Sequence, residues 1–489
     1  MGNATTASVT GVQVAPAKSA IRDLPIAKVW AFAVGQFGWA LLSGIISNWL
    51  VYFYQPDQET ISQGQTVFVP QGLVVLGIVT VVGGITAFAR FFDAFVDPAV
   101  ASLSDRCDAK SGRRMPFLKF AALPLAVVTV LVFWSPINGT SWVNAAFLFV
   151  TVIGYYIALT FYCTPYNALI AELGHDSKQQ LTISTAISFT WVAGTAIAYV
   201  APVIWGAFVP MMGRITAIRV TFTIMAAVAF VCMLVPPLAI REKDYVNSQP
   251  TSESTIESLK QTFGDGEFRK FVCSDVVYWV AITTFQTGLP FFVTSLLKLP
   301  ETTTTIYFVL MTGVSVLFYL PVNILANKVG KKRLLLVAFV IFTCAFAFAG
   351  ALGSAVLGFI PAMAQGLVLS VVGAIPMAAF GILPQAIVAN IADASSKTTG
   401  QDRQGMFYAA RTFAMKMGQS VAMLLFTGVS TIGMASGAGY RIAAVVRGRA
   451  VRLGRHRVSR STTRRRCWAC WRRDGVAGCR RGIHAERCG

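Results

Sequence analysis

The sequence predicts an all-α membrane protein made of two helical bundles, and three observations predict it. Of its 489 residues 55% are hydrophobic and only 13% charged. That balance suits a chain that crosses a bilayer many times and excludes a soluble enzyme with a large core. Apolar runs recur along the chain, each near or above the ~20 residues that a helical span needs. A polar stretch rich in Ser, Thr, Glu and Lys, from Arg241 to Glu267, divides those runs into two groups.

In chain order, spans are expected at 28–54, 73–104, 116–136, 142–173, 181–208 and 219–240, then at 269–297, 304–326, 334–353, 357–392 and 404–432. This gives an N-terminal segment 1–27, a six-helix bundle 28–240, a linker 241–268, and a second bundle 269–435 with five readable spans. An Arg-rich tail, 436–489, follows. Basic residues precede the first span (Lys18, Arg22, Lys28). They also follow the second (Arg106, Lys110, Arg113, Arg114, Lys119) and the eighth (Lys328, Lys331, Lys332, Arg333). The loops at 55–72, 137–141 and 354–356 have none; Arg214 and Arg219 are exceptions to the pattern. By the positive-inside rule the N-terminus and the linker face the cytoplasm, in a plasma (inner) membrane. Residues 1–25 lack an apolar core for a cleavable signal. Cys107, Cys163, Cys232, Cys273 and Cys344 lie in or beside apolar runs without a pairing pattern and read as small apolar fillers.

The net charge of +20 resembles a nucleic-acid signal, but residues 441–489 alone hold 15 Arg against Asp474 and Glu486. The rest carries a charge ordinary for basic cytoplasmic loops, and no nucleic-acid partner is expected. Two turns echo each other: Asp105-Arg106 leading to Arg113-Arg114, and Asn327-Lys328 leading to Lys331-Lys332-Arg333, 222 residues apart. Pro165 with Glu172 beyond it resembles Pro384 with Asn390 and Asp393, at an offset of 219. The near-equal offsets suggest a six-helix unit used twice, with a solute site between the halves. A twelfth span is then due after Tyr440, and an Arg-, Cys-, Trp- and Gly-rich sequence stands there instead. It reads as an out-of-frame tail, with a basic lipid-binding tail as the rival. Cys467, Cys470, Cys479, His484 and Cys488 match no standard zinc spacing.

The chemistry concentrates in Ala89-Arg90-Phe91-Phe92-Asp93-Ala94-Phe95-Val96-Asp97-Pro98. Asp93 and Asp97, four apart, share one helix face, and Arg90 lies near it. A carboxylate inside a membrane helix costs about 2.5–3.5 kcal/mol on insertion scales, so two on one face point to the protein interior. They form either an ion-pair cluster that only joins helices or a site for Na⁺ or H⁺. Lys416, the one Lys well inside an apolar run, is their obvious counter-charge, and one Lys between two carboxylates leaves a net negative site.

Asp93-x-x-x-Asp97-Pro98 resembles the glycoside–pentoside–hexuronide:cation symporters, the major-facilitator branch that includes melibiose-carrier-like proteins. Three further blocks carry the resemblance: Pro165-Tyr166-Asn167-Ala168-Leu169-Ile170-Ala171-Glu172, Ile391-Ala392-Asp393 with Lys397-Thr398-Thr399-Gly400, and Arg403 to Tyr408 with Phe413 to Gly418. It implies the major-facilitator fold of twelve helices and alternating access. It further implies Asp93 and Asp97 as cation ligands, with Arg90 and Lys416 in the charge network. Asp105, Arg106, Arg113, Arg114, Glu172 and Asp393 would belong to the gating loops on the cytoplasmic side. The chain departs from the family where acids contact sugar: Ala40 follows Gly35-Gln36-Phe37-Gly38, and Cys163 stands two before Pro165. The basic residue expected in the fifth helix is also absent from Leu181 to Thr190.

A neutral polar and aromatic lining remains for the solute: Trp39, Asn48, Thr160, Tyr166, Asn167, Tyr278, Gln286, Arg411 and Thr412. Aromatic faces and amides suit a sugar ring. The expectation is a monomeric secondary transporter that moves a sugar or similar polar solute with Na⁺ or H⁺. No enzymatic reaction, cofactor or further metal is expected, and with no nucleotide-binding Gly-rich loop beside a strand the energy should come from an ion gradient. A non-transporting sensor of the same fold and an inactive frameshifted product are the alternatives.

Overall fold

The computed structural model describes residues 23–73, 79–107, 109, 111–174, 177–246, 262–399, 404–432 and 437–442. Eleven long helices lie among them. The first six are α1 (Ile26–Tyr54), α2 (Val81–Arg106), α3 (Met115–Leu131), α4 (Trp142–Leu173), α5 (Ser177–Met212) and α6 (Arg214–Ala239). The other five are α7 (Gly266–Phe291), α8 (Thr302–Val329), α9 (Lys331–Ala351), α10 (Ala362–Thr399) and α11 (Gln404–Ser430). Each corresponds to one expected span. Eight are long and apolar enough to cross a membrane, and α3 is apolar but shorter. The remaining two, α2 and α11, carry the charged residues inside their runs, and they pack on each other.

Several boundaries move for local reasons. The second helix begins at Val81 rather than 73, because Thr80 caps it by accepting the N–H of Gly83. The sixth begins at Arg214, so that arginine lies in a first helical turn and not in a loop. Beyond Pro290, α7 passes into a π-helical turn, Phe292–Leu296.

Two groups of helices result. In the first, α1 packs on α5 and α6, α3 on α4 and α6, and α2 on α4; in the second, α10 packs on α8 and α9, and α7 on α11. The groups meet along α2–α11 and α5–α8. Small residues allow the tight crossing of α1 and α5: a Cβ on Gly44 would fall 2.6 Å from that of Ala198, and one on Gly194 would fall 2.6 Å from the Phe37 carbonyl oxygen.

The ends of the bundle differ. At the end with the basic turns, Glu242 closes the start of α3: its carboxylate accepts the N–H groups of Arg113 (3.0 Å), Arg114 (2.8 Å) and Met115 (3.0 Å). A carboxylate there satisfies otherwise free donors and the positive helix end together. Gly112, at φ 121°, brings the backbone onto Glu242 with no room for a side chain. Arg114 donates to Glu172 (2.7 Å) and to Asp105 (2.9 Å), and Arg113 to Glu172 at 3.3 Å. Arg106 is exposed at the end of α2. The side chain of Asp393 lies outside the described residues.

At the opposite end the two groups are tied together. Glu301, at the start of α8, accepts from Arg214 (2.6 and 3.1 Å), from Trp205 Nε1 (2.6 Å) and from Tyr52 Oη (3.0 Å). Asp57 accepts from Thr294 (2.7 Å) and Ser295, and Gln55 donates to the Thr427 carbonyl (3.0 Å). Residues 437–442, assigned above to the tail, belong partly to this end: Tyr440 stacks on Phe291 at 5.0 Å, and Arg441 donates to the Gly350 carbonyl at 3.0 Å. Residues 443–489, with the Cys and His residues noted above, lie outside the described residues.

Candidate functional site

Between the two groups lies a cavity of about 490 Å³, lined from α1, α2, α4 and α5 on one side and from α7, α8, α10 and α11 on the other. Asp93 and Asp97 face it from α2, Lys416 from α11. The Lys416 ammonium sits 2.8 Å from Asp93 Oδ2 and 2.5 Å from Asp97 Oδ2. The two carboxylates that share one face of α2 therefore hold a cation from the opposite group between them.

The fourth helix completes the arrangement. Thr160 donates to Asp93 Oδ1 (2.5 Å) and Thr164 to Asp97 Oδ1 (3.1 Å), each across 67 residues. The two helices run the same way, so a four-residue spacing on one matches a four-residue spacing on the other. Pro98 and Pro165 each follow the second member of their pair and remove one backbone donor at that level. Asp93 is sealed, at 1% side-chain exposure, while Asp97 keeps 26%. Arg90 lies over the Tyr156 ring at 4.8 Å and lines the same cavity. The cluster is thus not negative, as Lys416 and two aspartates alone predict: with Arg90 present its formal charges cancel.

Of the nine expected solute contacts, Trp39, Asn48, Thr160, Asn167, Tyr278, Gln286 and Thr412 line the cavity. Two do not reach it. Tyr166 is buried inside the first group, stacked on Phe32 at 4.3 Å and donating to its carbonyl at 2.8 Å. Arg411 is committed to Asp275 through two hydrogen bonds, of 2.9 and 3.1 Å, between α11 and α7. Asp275, near the start of α7, is the buried partner of that pair.

The cavity also has residues that sequence reasoning passed over. Trp191 packs with Trp39 at 4.9 Å, and Trp279, Thr312, Tyr319 and Gln419 line the opposite wall. Thr164 was legible in principle, since Thr160-x-x-x-Thr164 repeats the spacing of the aspartates. Cys163 lines the cavity beside them.

Comparison with known proteins identifies the family and the fold. The sequence pattern of the family described as MFS/sugar transport protein matches residues 31–449. The inner membrane symporter YicJ of Escherichia coli is 25% identical over 226 residues, 45% of this chain and 47% of that protein. The symporter YjmB of Bacillus subtilis is 23% identical over 350 residues, 70% of this chain and 73% of that protein. The matches to YicJ and to YnaJ of Bacillus subtilis span 47% and 36% of those relatives' lengths. The fold resembles that of a point mutant of the nucleoside transporter NupG, with a TM-score of 0.63 at 12% identity over 89% of this chain and 98% of that one. An all-helical fold of this kind, and a family match over most of the length, agree with what the spans and the Asp93–Asp97 stretch imply: the chain belongs to the MFS/sugar transport protein family.

Proposed function

We propose that this membrane transporter carries a sugar or related polar solute together with one cation, Na⁺ or H⁺, by alternating access, and that Asp93 and Asp97 hold the cation. The observation that carries this reading is Lys416, an ammonium from one half lodged between two carboxylates of the other. Lys416 occupies the place a coupling ion would take, so ion binding and the α2–α11 contact are linked. Binding an ion weakens one cross-half tie, and a ligand that favours one state shifts the equilibrium toward it. The solute would sit against Trp39, Asn48, Asn167, Tyr278, Gln286 and Thr412.

The basic end faces the cytoplasm in this reading, in a plasma (inner) membrane, and the cavity is reached from that side. The ties through Glu301 and Asp57 at the other end support it. So do Ser184 and Ser188, exposed on α5, which continue the stripe of Trp191 and Thr195 toward the basic end. The chain would act as a monomer and need no cofactor beyond the ion.

Uptake into proteoliposomes under a Na⁺ or a proton gradient tests the assignment. In Asp93→Asn and in Asp97→Asn, accumulation against a solute gradient should fall to the level of empty vesicles. Undiminished accumulation in both variants would remove the cation site from these residues.

A further inference from the structure

At the end opposite the basic turns, the halves close on a carboxylate cradle. Glu301 Oε1 accepts from Trp205 Nε1 (2.6 Å) and Arg214 Nη1 (3.1 Å), and Oε2 from Arg214 Nη2 (2.6 Å) and Tyr52 Oη (3.0 Å). Two donors per oxygen, with a guanidinium fork spanning both, fill the lone-pair sites of an ionised carboxylate.

The donors and the acceptor come from different halves. Tyr52, Trp205 and Arg214 lie on α1, α5 and α6 of the first group, whereas Glu301 opens α8 of the second. The first group also holds its three donors in place without Glu301. Trp49 packs on Tyr52 (5.7 Å) and on Trp205 (5.1 Å), and Phe222 packs on Trp205 (5.8 Å). Gln65 Oε1 accepts from Arg214 Nε at 3.2 Å, and Gln63 Oε1 from Nη1 at 3.4 Å. The buried acid of the first group at this end, Asp57, is held by the N–H of Thr60 in its own turn, at 2.9 Å. When the halves part here, α8 withdraws Glu301 and the donors stay together with the Arg214 charge uncovered.

We infer that in the outward-open state this set binds one small monocarboxylate from the external medium, in the place Glu301 fills in the closed state, and that the anion favours the open state. This rests on the alternating-access reading above. With Glu301 seated the cradle is full, so anion binding and closure exclude each other, and a ligand of one state shifts the balance toward it. The site is separate from the solute cavity, whose wall includes none of Tyr52, Trp205 and Arg214. A halide lacks the second oxygen that the fork requires, and a neutral molecule brings no charge for Arg214.

Labelling of Ser430→Cys in the full chain, reconstituted in proteoliposomes, tests this. Ser430 is buried and accepts from Gln55 across the halves at 2.9 Å, so an impermeant maleimide reaches a thiol there when this end opens. The labelling rate, above that of the chain without the added cysteine, is followed in external sodium acetate and in sodium chloride at equal concentration and pH. Acetate should raise the rate about threefold and saturably, formate should do the same, and chloride should not. An equal rise with chloride would overturn the carboxylate assignment.

Arg214→Lys breaks the fork, and Trp205→Phe removes one donor while keeping the ion pair, should the first variant fail to fold. Each should raise the acetate concentration for half the effect about tenfold. An acetate response unchanged in the folded variants would overturn the inference. Glu301→Gln supplies the opening control and should raise labelling in chloride alone. Labelling that rises in Glu301→Gln but ignores acetate when Glu301 is present would overturn the inference and leave alternating access standing. Labelling that ignores both would overturn both.

Discussion

Two charge clusters join the halves of this molecule, and they are built to opposite ends. Around Glu301 one carboxylate is saturated by Arg214, Trp205 and Tyr52, and side-chain exposure is 7% for Arg214 and 10% for Glu301. Around Lys416 one ammonium is shared by two carboxylates on a cavity wall, and Asp97 remains a quarter exposed. The first arrangement has no vacancy for a competitor, and its partners come from α1, α5, α6 and α8. The second has a ligand set that a small cation could satisfy as well as the lysine does. A buried pair is costly to break by removing one member, and of the Lys416 contacts only the one to Asp97 involves a partly exposed carboxylate. Ties of the same formal chemistry thus form a saturated junction at one place and, in the proposed reading, a site of exchange at the other.

Breaking the closure should have the largest effect on stability. Glu301→Gln strands the Arg214 charge and should cost about 3–5 kcal/mol, read as a fall in the midpoint of thermal unfolding in detergent. By comparison, Lys416→Gln should lower that midpoint less and make it rise more strongly with added Na⁺. A Lys416→Gln loss equal to the Glu301→Gln loss would erase the contrast.

The Asp275–Arg411 pair, buried within one half, offers a control with no cross-half role. Asp275→Asn should cost about 3 kcal/mol by leaving Arg411 unpaired. A double-mutant cycle with Arg411→Gln should recover a coupling above about 1 kcal/mol. A smaller loss is expected from Trp205→Phe, which removes one donor to a charged acceptor, about 1.5–3 kcal/mol. It should also raise labelling of a cysteine placed at Gly206 by a membrane-impermeant maleimide. Smallest is Thr164→Val, which withdraws one hydroxyl from Asp97 at about 1 kcal/mol. Its signature should be a several-fold change in the ion concentration for half-maximal uptake, with thermal stability nearly unchanged.

Why some of this was legible in the sequence and some was not follows from where each residue sits. Apolar runs marked all eleven long helices, because a span must satisfy its backbone internally and few charges interrupt it. Asp93, Asp97 and Lys416 stood out as such interruptions. Arg214, Glu242 and Glu301 did not, since a charge at the end of a span looks like an ordinary loop charge until the fold brings its partner close. The two misplaced solute contacts have a common cause. Tyr166 precedes Asn167 and Arg411 precedes Thr412, and consecutive helical residues point about 100° apart. Only the second of each pair faces the cavity.

The matched threonine and aspartate pairs on α2 and α4 have one more consequence. Because both helices belong to one half and run in register, the spacing of the two carboxylates is held by four residues of helix, about 6 Å of rise, whichever way the halves tilt. In the proposed cation site the aspartate pair is therefore a fixed caliper, with Lys416 as the movable jaw. On that proposal, lengthening or trimming the hydroxyls at Thr160 and Thr164 should tune ion preference and leave the aspartates where they are.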